Sequence, residues 1–246
     1  MGAPTVVLVH GAWHGSWCWQ NVIDGLAEKG VDAIAVDLPG HDAPGSSKRT
    51  WNRLSSYVDL VHSLIDGIDG EVVLVGHSMG GLVTQRVLET RSAAAAMLVA
   101  SIPLSGATGV AARLLRHHPE QFLSTFALSL WGLVGNDERV REHFFTDSTD
   151  EAVVSSTGTK LQNESYLAFL SMLLRWPKPA RVMRGSTPIS VVAAKHDNIF
   201  TLQEQRKLAA AYNTSATVID CGHDIMLEAQ YPELVDLIAE SASVNA

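Results

Sequence analysis

The sequence predicts an α/β fold: a mostly parallel sheet of about six strands flanked by helices, with a helical segment inserted late in the chain. Three observations predict it. Six short segments are apolar without a break, stretches of helical length separate most of them, and this rhythm stops between Ile102 and Thr187.

The strand candidates are Thr5 to His10, Ala33 to Leu38, Glu71 to Val75, Ala94 to Ala100, Ile189 to Ala194 and Ala216 to Ile219. Unbroken apolar runs of this length suit strands buried on both faces, the usual condition in a parallel sheet covered by helices. Between them, Ser55 to Ile68 places Tyr57, Leu60, Val61, Leu64 and Ile65 on one helical face. The other helices are expected near 21–29, 79–90, 202–212 and 232–241. Strand–helix alternation then calls for right-handed crossovers and a parallel sheet.

The segment from Ile102 to Thr187 has no convincing strand but many aromatics: Phe122, Phe126, Trp131, Phe144, Phe145, Tyr166, Phe169 and Trp176. Leu167, Leu170, Leu173 and Leu174 follow helical spacing. A structureless loop of that length does not fit a compact domain. The expectation is therefore a core formed by residues 1–103 and 186–246, with residues 104–185 as a helical cap over one edge of the sheet.

Composition narrows the partners. The chain has 246 residues, is 46% hydrophobic and carries a formal charge of −8, which argues against nucleic acid or an anionic membrane as partner. Cys18 and Cys221 are the only cysteines and imply no disulfide framework. With no cleavable leader and no apolar run of roughly 20 residues, a cytoplasmic protein is expected.

Gly76-His77-Ser78-Met79-Gly80 follows a strand candidate and precedes a helix candidate. A sharp strand-to-helix turn lifts a serine hydroxyl clear of the sheet, and glycines two residues to either side let neighbouring backbone approach. Ser78 is therefore the candidate nucleophile.

Val9-His10-Gly11, Asp37-Leu38-Pro39-Gly40-His41 and the Ser78 turn together resemble the α/β-hydrolase superfamily. Leu8 to Trp19, with its His10-Gly11-Ala12-Trp13-His14-Gly15 core, is similar to the branch that holds plant methylesterases and hydroxynitrile lyases. The likeness spans both ends of the chain and fades across the insertion. Asp42 departs from it, since the superfamily more often has glycine there.

The resemblance implies an α/β-hydrolase fold and partners in the order serine, acid, histidine. His223, after the last strand, is the implied base, and Asp197, after the strand Ile189 to Ala194, the implied acid. Asp220 and Asp224 compete with Asp197, but their closeness to His223 in sequence makes reaching its ring awkward. The superfamily pattern also implies oxyanion donors at the backbone N–H groups of Ala12 and Met79, and His10 is expected to brace that loop. Gly11, Trp13 and Trp131 are candidates to line the substrate pocket. His10 and His14 sit four apart in a predicted loop with no third ligand nearby, so neither a metal nor another cofactor is expected.

The implied activity is hydrolysis of a small to medium hydrophobic carboxylic ester or lactone through an acyl-enzyme. The alternatives are a hydroxynitrile lyase or cofactor-free oxygenase on the same fold, or a receptor that binds without turnover. Lyases of that branch carry threonine in the oxyanion loop and lysine after the histidine, where this chain has Gly11 and Asp224.

Overall fold

The structure is a computed structural model that describes residues 3–48, 50–124, 130–174 and 176–243. Its centre is a sheet of six strands: β1 (Thr5–Val9), β2 (Ala33–Val36), β3 (Val72–His77), β4 (Ala95–Val99), β5 (Ile189–Ala194) and β6 (Ala216–Ile219). The order is β2-β1-β3-β4-β5-β6, and every pair is parallel. The six strand candidates therefore all form.

Side-chain alternation explains the unbroken apolar runs. Val7, Val9, Leu74 and Leu98 pack on one face with α2 (Leu54–Asp66), α3 (Met79–Leu88) and α10 (Leu202–Ala211). Val6, Leu8, Val73, Val75 and Met97 pack on the other with α1 (Gln20–Glu28) and α11 (Tyr231–Ser243). Both faces are dry, so each central strand is apolar throughout. The amphipathic stripe of α2 buries Leu54, Tyr57, Val61 and Ile65, while Leu60 and Leu64 are half-buried at its margin.

β2 stops at Val36, two residues short of the apolar run, for a local reason. The Asp37 carboxylate turns to accept from the Ser16 N–H at 2.6 Å and its hydroxyl at 2.9 Å, and the Leu38 N–H donates to His10 Nε2 at 3.1 Å. These bonds take the backbone out of the ladder and tie two strand ends together at the carboxyl edge of the sheet.

Between β4 and β5 the described residues contain helices and no strand. They are α4 (Thr108–His117), α5 (Pro119–Ser124), α6 (Asp137–Phe144), α7 (Glu151–Lys160), α8 (Tyr166–Leu174) and α9 (Pro179–Val182), with short 3-10 turns at Trp131–Leu133 and Met183–Gly185. Leu130, Leu133, Val140, Phe144, Phe145, Val154 and Leu161 form a small core of their own. Phe126, one of the aromatics singled out in this stretch, lies outside the described residues.

The link from α7 to α8, Leu161–Ser165, is wholly buried although four of its five residues are polar. Most of its polar side chains find partners in the first third of the chain. Gln162 Nε2 donates to the His41 carbonyl at 2.8 Å, and Glu164 accepts from the Tyr57 hydroxyl at 2.8 Å and contacts His41 Nε2 at 3.1 Å. Buried polar groups are tolerated where such partners exist. Burial opposes protonation of His41, but the charge of Glu164, which also accepts a hydrogen bond from His41 Nε2, outweighs it and its pKa is raised.

Candidate active site

β3 runs directly into α3, and the one residue between them is Ser78, with φ 52° and ψ −115°. A non-glycine residue held there is strained and persists only where its surroundings impose it. The constraints are visible. The Ser78 N–H donates to the Val99 carbonyl at 3.0 Å, and the Ile102 N–H donates to the Ser78 carbonyl at 3.2 Å. A Cβ on Gly76 would stand 2.4 Å from the Gly80 carbonyl oxygen, and one on Gly80 would stand 2.2 Å from that of Val9. Only glycine permits the strand and the helix to come this close. The turn presents Ser78, 8% exposed, to a cavity above the sheet.

His223 follows β6 and Asp197 follows β5, so adjacent parallel strands bring them to the same edge. His223 Nδ1 lies 2.8 Å from Asp197 Oδ2, with both side chains fully buried. Asp197 Oδ1 accepts from the Ile199 N–H at 2.8 Å and the Phe200 N–H at 2.9 Å, which fixes the carboxylate plane. Below it, the Thr201–Glu204 capping box sets the start of α10. Burial opposes protonation of His223, but the charge and hydrogen bond of Asp197, with Asp224 farther off, outweigh it and raise its pKa. The two competing acids go elsewhere. Asp220 is exposed and pairs with Lys195 and His196, and Asp224 turns to His14. Among the described residues no hydrogen bond joins the Ser78 hydroxyl to His223.

The loop after β1 is held by its carbonyls. Gly11 O contacts His10 Nδ1 at 2.8 Å, Ala12 O contacts His14 Nδ1 at 2.8 Å, and Trp13 O accepts from the Gln162 N–H at 2.7 Å. Because His10 Nε2 accepts from the Leu38 N–H, its proton must be on Nδ1, where it donates to Gly11 O. His10 thus links two strand ends through this loop. With these three carbonyls engaged, their peptide planes cannot turn freely. Among the described residues, neither the Ala12 nor the Met79 N–H has a protein acceptor.

The cavity at Ser78 is narrow, about 80 Å³, and its wall is almost wholly apolar. The core contributes Ala12, Trp13, Ile102, Ile199 and Phe200, and the insertion contributes residues such as Leu133, Phe144, Phe169 and Met172. Trp13 lines it. Trp131 does not; it packs against the insertion's own core, and Leu133, two residues on, reaches the cavity instead. Gly11 lies beneath the wall, where an added Cβ would meet His77 Nδ1 at 2.9 Å and Ser78 Cβ at 3.0 Å. A larger open groove of about 780 Å³ between α2, α3 and the stretch Trp176 to Lys178 touches none of the candidate site residues.

A model described as the alpha/beta hydrolase family matches residues 6–237. The chain belongs to that family. The six-stranded parallel sheet flanked by helices is accordingly that of an alpha/beta hydrolase. Methylesterase 18 of Arabidopsis thaliana is 25% identical over 267 aligned positions, covering 96% of each chain. Methyl jasmonate esterase 1 of Vitis vinifera is 39% identical over 85 positions, 34% of this chain and 33% of that one. Among solved structures, the methylesterase MES16 from Arabidopsis superposes with a TM-score of 0.71 at 20% identity, covering 98% of this chain and 99% of that one, a likeness of fold.

In this hydrolase His77 escaped the reading of motifs, as did the pairing of His14 with Asp224. His77, between Gly76 and Ser78, packs its ring 4.7 Å from that of His223 and donates from Nε2 to the His223 carbonyl at 3.1 Å. Burial, and then the neighbouring His223, lower its pKa to about 3, so it is neutral at working pH. His77, His223 and Asp224 offer ligand atoms within 4.8 Å of one another, yet all three are buried and occupied with other partners. The adjacency of His77 to Ser78 was a usable signal. The pairing of Asp224 with His14, 210 positions away, had none.

Proposed function

We propose that Ser78, His223 and Asp197 form a catalytic triad and that the enzyme hydrolyses a small to medium hydrophobic carboxylic ester or lactone through an acyl-enzyme. The observation that carries this reading is the 2.8 Å contact between His223 Nδ1 and Asp197 at the edge where Ser78 is held in a strained turn. The methylesterase and esterase names of the relatives support the ester bond as target.

In this reading Ser78 attacks the carbonyl while His223 Nε2 takes its proton and returns it to the leaving alkoxide oxygen, which departs as the alcohol. Asp197 holds the ring in the tautomer with Nδ1–H and stabilises the imidazolium. The contact between hydroxyl and Nε2 that this requires closes when substrate is bound, as is common in sites of this kind. The N–H groups of Ala12 and Met79 receive the developing oxyanion, and the positive end of α3 adds to the field there. Water repeats the sequence on the acyl-enzyme. Residues 104–185 act as a cap whose apolar side chains select the acyl or alcohol group.

Two measurements test the reading. A panel of p-nitrophenyl esters and lactones, run with organophosphonate labelling, is expected to favour acetate and butyrate over octanoate. Pockets for drug-sized ligands run to roughly 300–1,000 Å³, far more than the cavity here. The phosphonate is expected on Ser78 by peptide mass mapping, and a label on another residue would displace Ser78 as nucleophile. The second measurement is the acid limb of kcat/KM. Only neutral His223 can act as base, and its pKa is raised, so activity should fall with decreasing pH along a limb lying above the ordinary histidine value of 6.5. A limb below 6.5 would contradict the assignment.

A further inference from the structure

The loop after β1, the loop after β6 and the end of α6 meet near Ser78, and one buried histidine–aspartate contact joins the two loops. His14, 1% exposed, belongs to the loop after β1, and Asp224, fully buried, follows His223. His14 Nε2 lies 2.9 Å from Asp224 Oδ2, and His14 Nδ1 lies 2.8 Å from Ala12 O. The second partner is a carbonyl and can only accept, so Nδ1 carries a proton. The first is a carboxylate, so the Nε2–Oδ2 contact must contain another. Burial alone would favour the neutral acid, but His14 first, then His77 and His223, hold the Asp224 pKa below the usual carboxylate range. The contact is therefore a hydrogen bond that holds one shared proton between a buried imidazole and a buried carboxylate.

Its surroundings fix it in place. The His14 ring stacks on Trp17 at 5.4 Å and meets the edge of Phe144 at 5.2 Å, and Phe144 also stacks on His223 at 6.2 Å. The Asp224 N–H donates to the Phe144 carbonyl at 3.0 Å. Phe144 ends α6 and lines the cavity. The loop with Ala12, the loop with His223 and the end of α6 therefore share one buried charged contact.

We propose that His14 and Asp224 are positioning residues that lock the loop bearing the Ala12 N–H to the loop bearing His223, and that the Asp224 charge stabilises the His223 imidazolium. The proposal rests on the triad reading given above. Neither residue lines the cavity, so neither is expected to touch substrate. Breaking the pair should loosen the oxyanion peptide and the base together, which lowers kcat more than it raises KM.

The charged and titratable groups around His223 set the sign of the pH effect. Asp197 faces it from the loop after β5, His77 from β3, and Asp224 from its own loop, while His143 on α6 lies beyond. Removing Asp224 withdraws a negative charge that favours the imidazolium, so the acid limb should move to lower pH.

The test compares Asp224→Asn and Asp224→Ala with wild type on p-nitrophenyl acetate, rates being expressed per site titrated with the organophosphonate. Asparagine can still hydrogen-bond to His14, so that variant is expected to fold, with kcat reduced about tenfold, KM within threefold and the acid limb displaced to lower pH. Alanine should lose more in kcat. A kcat per titrated site within twofold of wild type, an unmoved acid limb, or failure of Asp224→Asn to fold would each overturn the proposal; the last two indicate a purely structural pair. The triad reading fails on a different result, retention of activity by Ser78→Ala.

Discussion

Ser78→Ala is expected to lower turnover of an activated ester by about 10⁴- to 10⁶-fold while leaving the protein folded, the range seen when a triad nucleophile is removed. The fold should survive because the bonds that hold the turn are made by backbone groups. The Ser78 N–H and carbonyl are tied to Val99 and Ile102, and both close approaches involve glycines. Alanine keeps those bonds and removes only the hydroxyl. Some rate above that in water should persist, because the N–H groups of Ala12 and Met79 still polarise a bound carbonyl. The measurement is kcat/KM beside a thermal melt. A folded variant with more than a tenth of wild-type activity would show that another group attacks.

The second large effect is expected from Asp197→Asn, at about 10⁴-fold in kcat, the cost of this change at serine–histidine–aspartate sites. Here the local geometry states the reason. Oδ1 already accepts two backbone N–H groups, from Ile199 and Phe200. An asparagine must keep its carbonyl oxygen at that position, so its NH2 falls where Oδ2 now faces His223 Nδ1. Two donors cannot face each other, and the ring is driven to the tautomer with its proton on Nε2, which cannot take one from Ser78. Turnover at high pH should stay low, since deprotonation does not restore the useful tautomer. If Asp224→Asn proves far more damaging than Asp197→Asn, the acid has been misassigned.

The sheet was legible because a parallel strand covered on both faces must be apolar at every position, as Val72 to Val75 are. Its ends were less legible. β2 stops where the Asp37 side chain and the Leu38 N–H find partners from another part of the chain, and apolar patterning records no such competition. The turn at Ser78 was legible because its glycines are demanded by backbone contacts within a few residues, as at Gly76 and Gly80.

The pocket was a different matter. Which aromatic of the insertion reaches the cavity depends on how several short helices pack, and a shift of two residues separates Trp131 from Leu133. The stretch Leu161–Ser165 is polar at four of its five positions, yet it is buried because His41, Tyr57 and Trp13 receive it. Partnerships across more than a hundred positions leave no periodic mark, and the pairing of His14 with Asp224 belongs to the same class.

That buried linker bears on how separable the two parts of the molecule are. The Gln162 N–H holds the Trp13 carbonyl in the loop next to Ser78, while Glu164 occupies His41 and Tyr57 deep in the main body. Helices α4 to α9 transplanted from a relative would therefore bring more than a new surface. Unless positions 162 and 164 came across matched, they would leave the His41 carbonyl, the Ala43 N–H and the Tyr57 hydroxyl stranded in the host's interior. Swapping modules here means re-cutting the joint as well as the helices.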